Sequence, residues 1–281
     1  MHYVFTDIHG DMKSWNAIKE QFGQSENLLI FLGDACDRGP NGYEIVKDIY
    51  NMDNTCYNNF NKLLFDKITN LLNENKFPIT IGGDHSVAIA SALATNNHYK
   101  NLGIIWIDAH TDYNTFDTTI TGNIHGLPLA AINGYKTEKL TNFLTDNHIN
   151  PKNTVIVGAR SIDESELINL KNNNITFFTT EDIKKEGLDN ILDKAFQIAG
   201  NNTNGIHISY DLDYIDPIDC PGVSVPEING VDINLAIETM KYIKNKKHLI
   251  KSLDLVEYNP KFDINNKTLN IATNLLNIFL K

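Results

Sequence analysis

The chain alternates short, β-branched apolar runs with longer stretches whose apolar residues recur at helical spacing, and this rhythm continues throughout. Strands are predicted near 2–6, 28–32, 78–82, 103–108, 154–158, 175–179, 205–211 and 250–256. Runs such as Leu102-Gly103-Ile104-Ile105-Trp106-Ile107 carry no polar position, as expected of strands buried on both faces of a parallel sheet. Helices fill the gaps. Over 56–75, for example, Phe60, Leu63, Leu64, Ile68, Leu71 and Leu72 form one stripe that reads as a core face. Alternating strands and helices predict an α/β fold, and 281 residues can bury one substantial core.

Several of the apolar runs end in metal-binding side chains. Gly82-Gly83-Asp84-His85-Ser86 follows the strand ending at Ile81, and Asp108-Ala109-His110-Thr111-Asp112 follows Ile107. A third run ends at Asp211-Leu212-Asp213, whose carboxylates share one side of an extended chain. A fourth supplies Glu257. Ligands of open parallel sheets bind at the rim where the strands end. One Asp after a strand is commonly just a helix cap. Capping gives no reason for His and Asp to crowd three strand ends. Hard carboxylate oxygens with only two imidazoles suit manganese better than a thiolate-loving metal. A carboxylate bridging two ions about 3.5–4 Å apart would make a water acidic enough to attack at neutral pH.

From about residue 54 onward the chain resembles the arginases of the ureohydrolase family. The resemblance rests on GGDHS at 82–86, DAHTD at 108–112, TGNIHG at 121–126, SYDLDYIDP at 209–217 and SLDLVEYNP at 252–260. It implies a three-layer αβα fold around a mainly parallel sheet and two Mn²⁺ per chain. One ion would be held by His85, Asp108, Asp112 and Asp211, the other by Asp108, His110, Asp211 and Asp213, with Asp108 and Asp211 as bridges. His125 matches the family's catalytic histidine, a role suited to a side chain whose unperturbed pKa lies near the working pH. Asn114 and Thr121 match positions that contact the α-carboxylate of arginine. Asp163 and Glu166 match those that hold its α-ammonium, and Glu257 would orient the guanidinium. The reaction implied is hydrolysis of L-arginine to L-ornithine and urea, with agmatine or another guanidino compound as the alternative substrate. A homo-oligomer, trimeric or hexameric, is implied as well. One departure stands out: where arginases commonly carry Gly-Thr-Pro, this chain reads Ser224-Val225-Pro226, which removes a hydroxyl.

Residues 1–52 resemble a different family, the calcineurin-like metallophosphatases, through Asp7-Ile8-His9-Gly10 and Gly33-Asp34-Ala35-Cys36-Asp37-Arg38-Gly39. By that resemblance Asp7, His9 and Asp34 would be metal ligands and Arg38 a phosphate contact, but the later motifs of that family do not follow. The chain therefore divides into a phosphatase-like fragment, 1–52, and an arginase-like domain, 53–281. Such a join is either a natural fusion, in which a β-α-β unit replaces a missing sheet edge, or a product of recombination, frameshift or assembly error. A catalytically inactive chimera that keeps its metal ligands is the alternative to a working enzyme.

Composition narrows the partners. A net charge of −11 disfavours nucleic acid and anionic membranes. The basic run Lys244-Asn245-Lys246-Lys247 reads as a solvated helix end. Cys36, Cys56 and Cys220 show no paired spacing, so reduced thiols and a cytoplasmic location are expected. No apolar stretch approaches the ~20 residues of a membrane span, and the N-terminus lacks the pattern of a signal peptide.

Overall fold

The computed structural model describes residues 3–5, 29–31 and 55–281. Each predicted strand is present to within one residue at either end: β1 (Tyr3–Phe5), β2 (Leu29–Phe31), β3 (Ile79–Ile81), β4 (Gly103–Ile107), β5 (Thr154–Ala159), β6 (Thr176–Thr179), β7 (Ile206–Asp211) and β8 (Ile250–Val256). The helices are α1 (Thr55–Asn73), α2 (Val87–Tyr99), α3 (Pro128–Ile132), α4 (Glu164–Asn172), α5 (Thr180–Glu186), α6 (Leu188–Ala199), α7 (Ile233–Asn245) and α8 (Lys267–Leu280). β1 and β2 pair in parallel as a separate two-stranded sheet, and the other six form one parallel sheet in the order β3-β8-β7-β4-β5-β6. The phosphatase-like positions Asp7, His9, Asp34 and Arg38 lie outside the described residues.

Side-chain alternation along the strands sorts the core into two layers. Ile105 and Ile107 of β4, Val155 and Val157 of β5, Ile206, Ile208 and Tyr210 of β7, and Leu253 and Leu255 of β8 pack with α5, α6, α7 and α8. Ile104 and Trp106 of β4 and Ile156 of β5 face the other way, onto α1, α2, α3 and α4. Helix α2 is buried at every position from Val87 to Asn96, so it is enclosed on all sides instead of presenting one buried stripe. The three-layer arrangement follows directly from this alternation.

On the α2 side, β7 and β8 carry polar residues. His207, Ser209, Ser252 and Asp254 are all buried there. Three of them bond to one another or to α2: His207 Nδ1 lies 2.6 Å from Ser252 Oγ, His207 Nε2 lies 3.0 Å from Asp254 Oδ2, and Ser252 Oγ donates to Thr95 Oγ1 of α2 at 2.9 Å. Ser91 of α2 donates to the same Asp254 oxygen. The column keeps the sheet and its central helix in a fixed register directly beneath the strand ends.

Sheet order places the site. The chain runs β4, β5, β6 towards one edge and then returns with β7 to the other side of β4. This reversal opens a crevice at the C-terminal ends of β4 and β7, where open α/β sheets bind ligands. Gly158, at φ +103°, ends β5 beside it; a Cβ there would sit 2.3 Å from the Tyr214 ring and 3.1 Å from Asp108 O. Gly158→Ala is therefore expected to destabilise the fold by roughly 2–4 kcal/mol, read as a lowered urea midpoint; an unchanged midpoint would contradict this account.

Candidate metal centre and active site

Because β3, β4, β7 and β8 are parallel, their following turns meet at one rim. The turn after β3 brings in His85, β4 runs on into Asp108, His110 and Asp112, β7 ends at Asp211 with Asp213 in the next turn, and β8 leads to Glu257. The backbone fixes these turns together: Asp108 N donates to Val157 O at 3.1 Å, Ala109 N to Asp213 Oδ1 at 3.1 Å, and Glu257 N to Gly83 O at 2.8 Å. Asp112 and Glu257 take positive φ, +48° and +67°, a cost that packing around the site must offset.

His85 Nδ1 lies 3.0 Å from Asp108 Oδ2, 3.1 Å from Asp211 Oδ2 and 3.2 Å from Asp112 Oδ2. It is buried and makes no hydrogen bond of good geometry with any of them. His110 Nδ1 lies 2.9 Å from Asp213 Oδ2 and 3.5 Å from Asp108 Oδ1. The donor atoms thus form two clusters that share Asp108: His85 with Asp108 and Asp211, and Asp108 with His110 and Asp213. Asp112 joins the first by its distance to His85. Asp211 offers Oδ2 to the first cluster, while its Oδ1 accepts from Asp213 N at 2.7 Å.

So many buried carboxylates repel one another. Burial, then Asp213 and Asp108, push Asp211 well above the usual carboxylate range. Burial and then Asp108 push Asp112 up to about 6. Burial opposes a charge on His85, but Asp108, Asp112 and Asp211 outweigh it and hold that imidazole well above its ordinary value. Oxygen-rich donors, two imidazoles and an unsatisfied buried Nδ1 fit hard divalent cations.

Supporting contacts aim the candidate ligands. His85 Nε2 lies 2.8 Å from Ser209 Oγ, and the His85 ring stacks on Trp106 with centroids 3.8 Å apart and planes at 9°. Trp106 Nε1 donates to Asp108 Oδ2 at 2.8 Å, so one indole positions two candidate ligands. Neither residue was singled out from the sequence, although both carry a legible signal. Trp106 and Ser209 each stand two residues before an Asp of the cluster, and therefore on the same face of the strand.

Above the clusters opens a cavity of about 320 Å³, lined by His85, His110, Asp112, Asp211, Asp213 and Glu257 together with Asn114, Thr121, His125, Asp163 and Glu166. Every candidate residue of the arginase-like part lines it except Asp108, which is fully buried. Glu257 Oε1 accepts from His85 N at 2.8 Å and stands 4.0 Å from His125 Nδ1. His125 sits in a single 3-10 turn, Ile124–Gly126, held to the metal-side loop because Asn114 N donates to Gly126 O at 3.1 Å. Asn114 Nδ2 is 3.5 Å from Asp163 Oδ2. Thr121 Oγ1 accepts from Asn123 N at 3.2 Å.

Asp163 and Glu166 also do local structural work, forming the capping box of α4. Glu166 is buried and accepts from Tyr113 N at 2.7 Å, and burial pushes its carboxyl up to about 7. The lining also includes residues that the sequence did not mark as candidates, Glu227 and Ser161 among them, and Val225, noted there as a departure, which lines the cavity with an apolar side chain. Among the described residues, no helix is long and apolar enough to cross a membrane. Cys220 is a buried free thiol.

Comparison with known proteins agrees with this geometry. The Arginase family model matches residues 34–280, beginning ahead of the join placed near residue 53 from the sequence. An arginase of Staphylococcus aureus (strain COL) is 37% identical over 223 residues, covering 78% of this chain and 72% of its own. The crystal structure of arginase from Bacillus subtilis superposes with a TM-score of 0.77 at 31% identity, covering 100% of this chain and 98% of its own. That of Entamoeba histolytica arginase in complex with L-ornithine gives 0.77 at 25% identity, covering 99% and 97%. A match of this length, carried by a chain whose acids and histidines converge at one sheet rim, has one reading: the protein belongs to the arginase family and is a ureohydrolase.

Proposed function

We propose that the protein hydrolyses L-arginine to L-ornithine and urea with two Mn²⁺ ions bound by His85, Asp108, Asp112 and Asp211 and by Asp108, His110, Asp211 and Asp213. The observation that carries the reading is the pair of clusters sharing Asp108 beneath a cavity that also holds Glu257, His125, Asp163 and Asn114. When bound, the ions supply an acidified water and an electrophilic field at neutral pH. Water adds to the guanidino carbon, the bond from that carbon to the chain nitrogen breaks, and the leaving amine takes up a proton.

The protein's own groups bind, orient and transfer that proton. Glu257, its Oε1 fixed by the His85 amide, pairs with the cationic guanidinium. Burial and the neighbouring Asp211 raise Glu257 well above its usual range, so a cation beside it favours its charged form. His125, 4.0 Å from Glu257, gives the proton to the departing amine. The Asn114 amide and the Asp163 carboxylate, 3.5 Å apart, offer a donor and an acceptor side by side, which suits the carboxylate and ammonium of an amino acid. The L-ornithine complex of the Entamoeba histolytica arginase supports an amino-acid product. A homo-oligomer, trimer or hexamer, and a cytoplasmic location complete the proposal.

Three outcomes are expected. The purified chain loaded with Mn²⁺ releases urea from L-arginine and far less from agmatine; comparable release from agmatine would overturn the assigned roles of Asn114 and Asp163, and bound metal without urea would point to the inactive chimera. Asp211→Ala loses both metal and activity, whereas His125→Ala keeps its manganese and slows turnover by about 10²–10⁴-fold, measured by metal analysis beside a urea assay. Finally, the carboxylates must shed protons to bind a cation. With Asp112 held at about 6, manganese retention should fall as the pH drops through that value, as equilibrium dialysis would reveal.

A further inference from the structure

The two candidate metal-binding histidines are supported on their far sides by different chemistry. His85 Nε2 meets a neutral hydroxyl, Ser209 Oγ, at 2.8 Å. His110 Nε2 instead faces a carboxylate, Glu227 Oε1, at 3.6 Å, while its Nδ1 points at Asp108 and Asp213. Glu227 lies in the loop between β7 and α7, far in sequence from His110 and downstream of Asp213, and no apolar run precedes it.

That loop is bound to the metal centre. Glu227 Oε1 accepts from Ser161 Oγ at 3.1 Å. Among the described residues Arg160 makes no ion pair with a carboxylate and spends its guanidinium on main-chain carbonyls. It donates to Glu227 O at 2.9 Å, Ile228 O at 3.1 Å, Asp213 O at 2.6 Å, and Gly158 O and Tyr214 O at 3.3 Å each. Arg160 N and Ser161 N in turn donate to Ala109 O at 2.8 and 3.1 Å, beside His110. One planar fork thus fixes the Glu227 loop and the Asp213 turn against the segment that carries His110.

We infer that Glu227 is a positioning residue for one of the two metal sites, the one formed by Asp108, His110 and Asp213. A histidine that ligates through Nδ1 must carry its proton on Nε2. A carboxylate facing that proton selects the tautomer, orients the ring and makes Nδ1 a better donor. Ser209 can orient His85 but brings no charge, so the two ions sit in unequal fields and Glu227 acts on one of them. The inference rests on the two-ion reading of the site.

The test is titration of metal-free protein with Mn²⁺, followed by calorimetry and by the electron-paramagnetic signal of free Mn²⁺, for wild type, Glu227→Ala and Glu227→Asp. Wild type should bind two ions. Glu227→Ala should weaken one binding step by about 10–100-fold and leave the other step and the metal-free melting temperature unchanged. Excess Mn²⁺ should restore much of its turnover with little change in KM, and Glu227→Asp should recover part of the affinity. Unaltered binding in Glu227→Ala overturns the inference, as does parallel weakening of both steps with a fall in metal-free stability, the mark of a loop that matters only for folding. Wild type that fails to bind two ions would overturn the two-ion reading itself.

Discussion

Everything at this site depends on an electrostatic conflict that the fold creates. Parallel strands that end together bring Asp108, Asp112, Asp211 and Asp213 into one buried volume, where each carboxylate loses its hydration and faces like charge. Two imidazoles, themselves buried, offset only part of this repulsion. Divalent cations bound there would resolve it, and their binding energy would then become folding energy because the same groups are scattered in the unfolded chain. The raised carboxyls of Asp112 and Asp211 follow from burial and from their crowding with other acids.

The scaffold beneath is specialised for holding that conflict still. Between β7, β8 and α2, where an ordinary sheet face would be apolar, His207, Asp254, Ser252, Ser91 and Thr95 bond to one another in a buried column. It continues upward on the same strand face into Ser209, which holds His85, and then into Asp211. Polar alternation along one strand thus connects the interior of the sheet to the ligand cluster. The apolar alternation on the other face anchors α5, α6, α7 and α8.

Around the cavity, single residues serve both folding and the site. Asp163 and Glu166 cap α4 and also line the cavity, so a ligand meets groups already fixed by a helix terminus. Trp106 is a core residue of β4 whose indole edge nevertheless reaches Asp108 while its face covers His85. Arg160 uses its charge on backbone carbonyls and thereby orders the loops from which Asp213 and Glu227 project. Such sharing keeps the site rigid without adding elements to the fold.

The sequence by itself determined the strands, a helix read over 56–75 and formed over Thr55–Asn73, the two-faced burial of the central strands though not of the edge strand β3, whose Ile81 is exposed, and the set of candidate metal-binding side chains. These are legible because periodicity and strand-end position are local properties. Asp163 and Glu166, read from the sequence as candidate substrate contacts, also form the capping box of α4 and line the cavity. Only the tertiary structure decided strand order, the reversal that makes β7 a neighbour of β4, and the sharing of Asp108 between two clusters. It also placed Trp106 against His85 and Asp108, Ser209 against His85, Arg160 against the Asp213 turn and Glu227 beside His110. Their partners lie tens to more than a hundred residues away in several cases, as in His85 with Ser209, and a side chain's direction across such a gap is set by sheet register and loop packing, which no local pattern encodes.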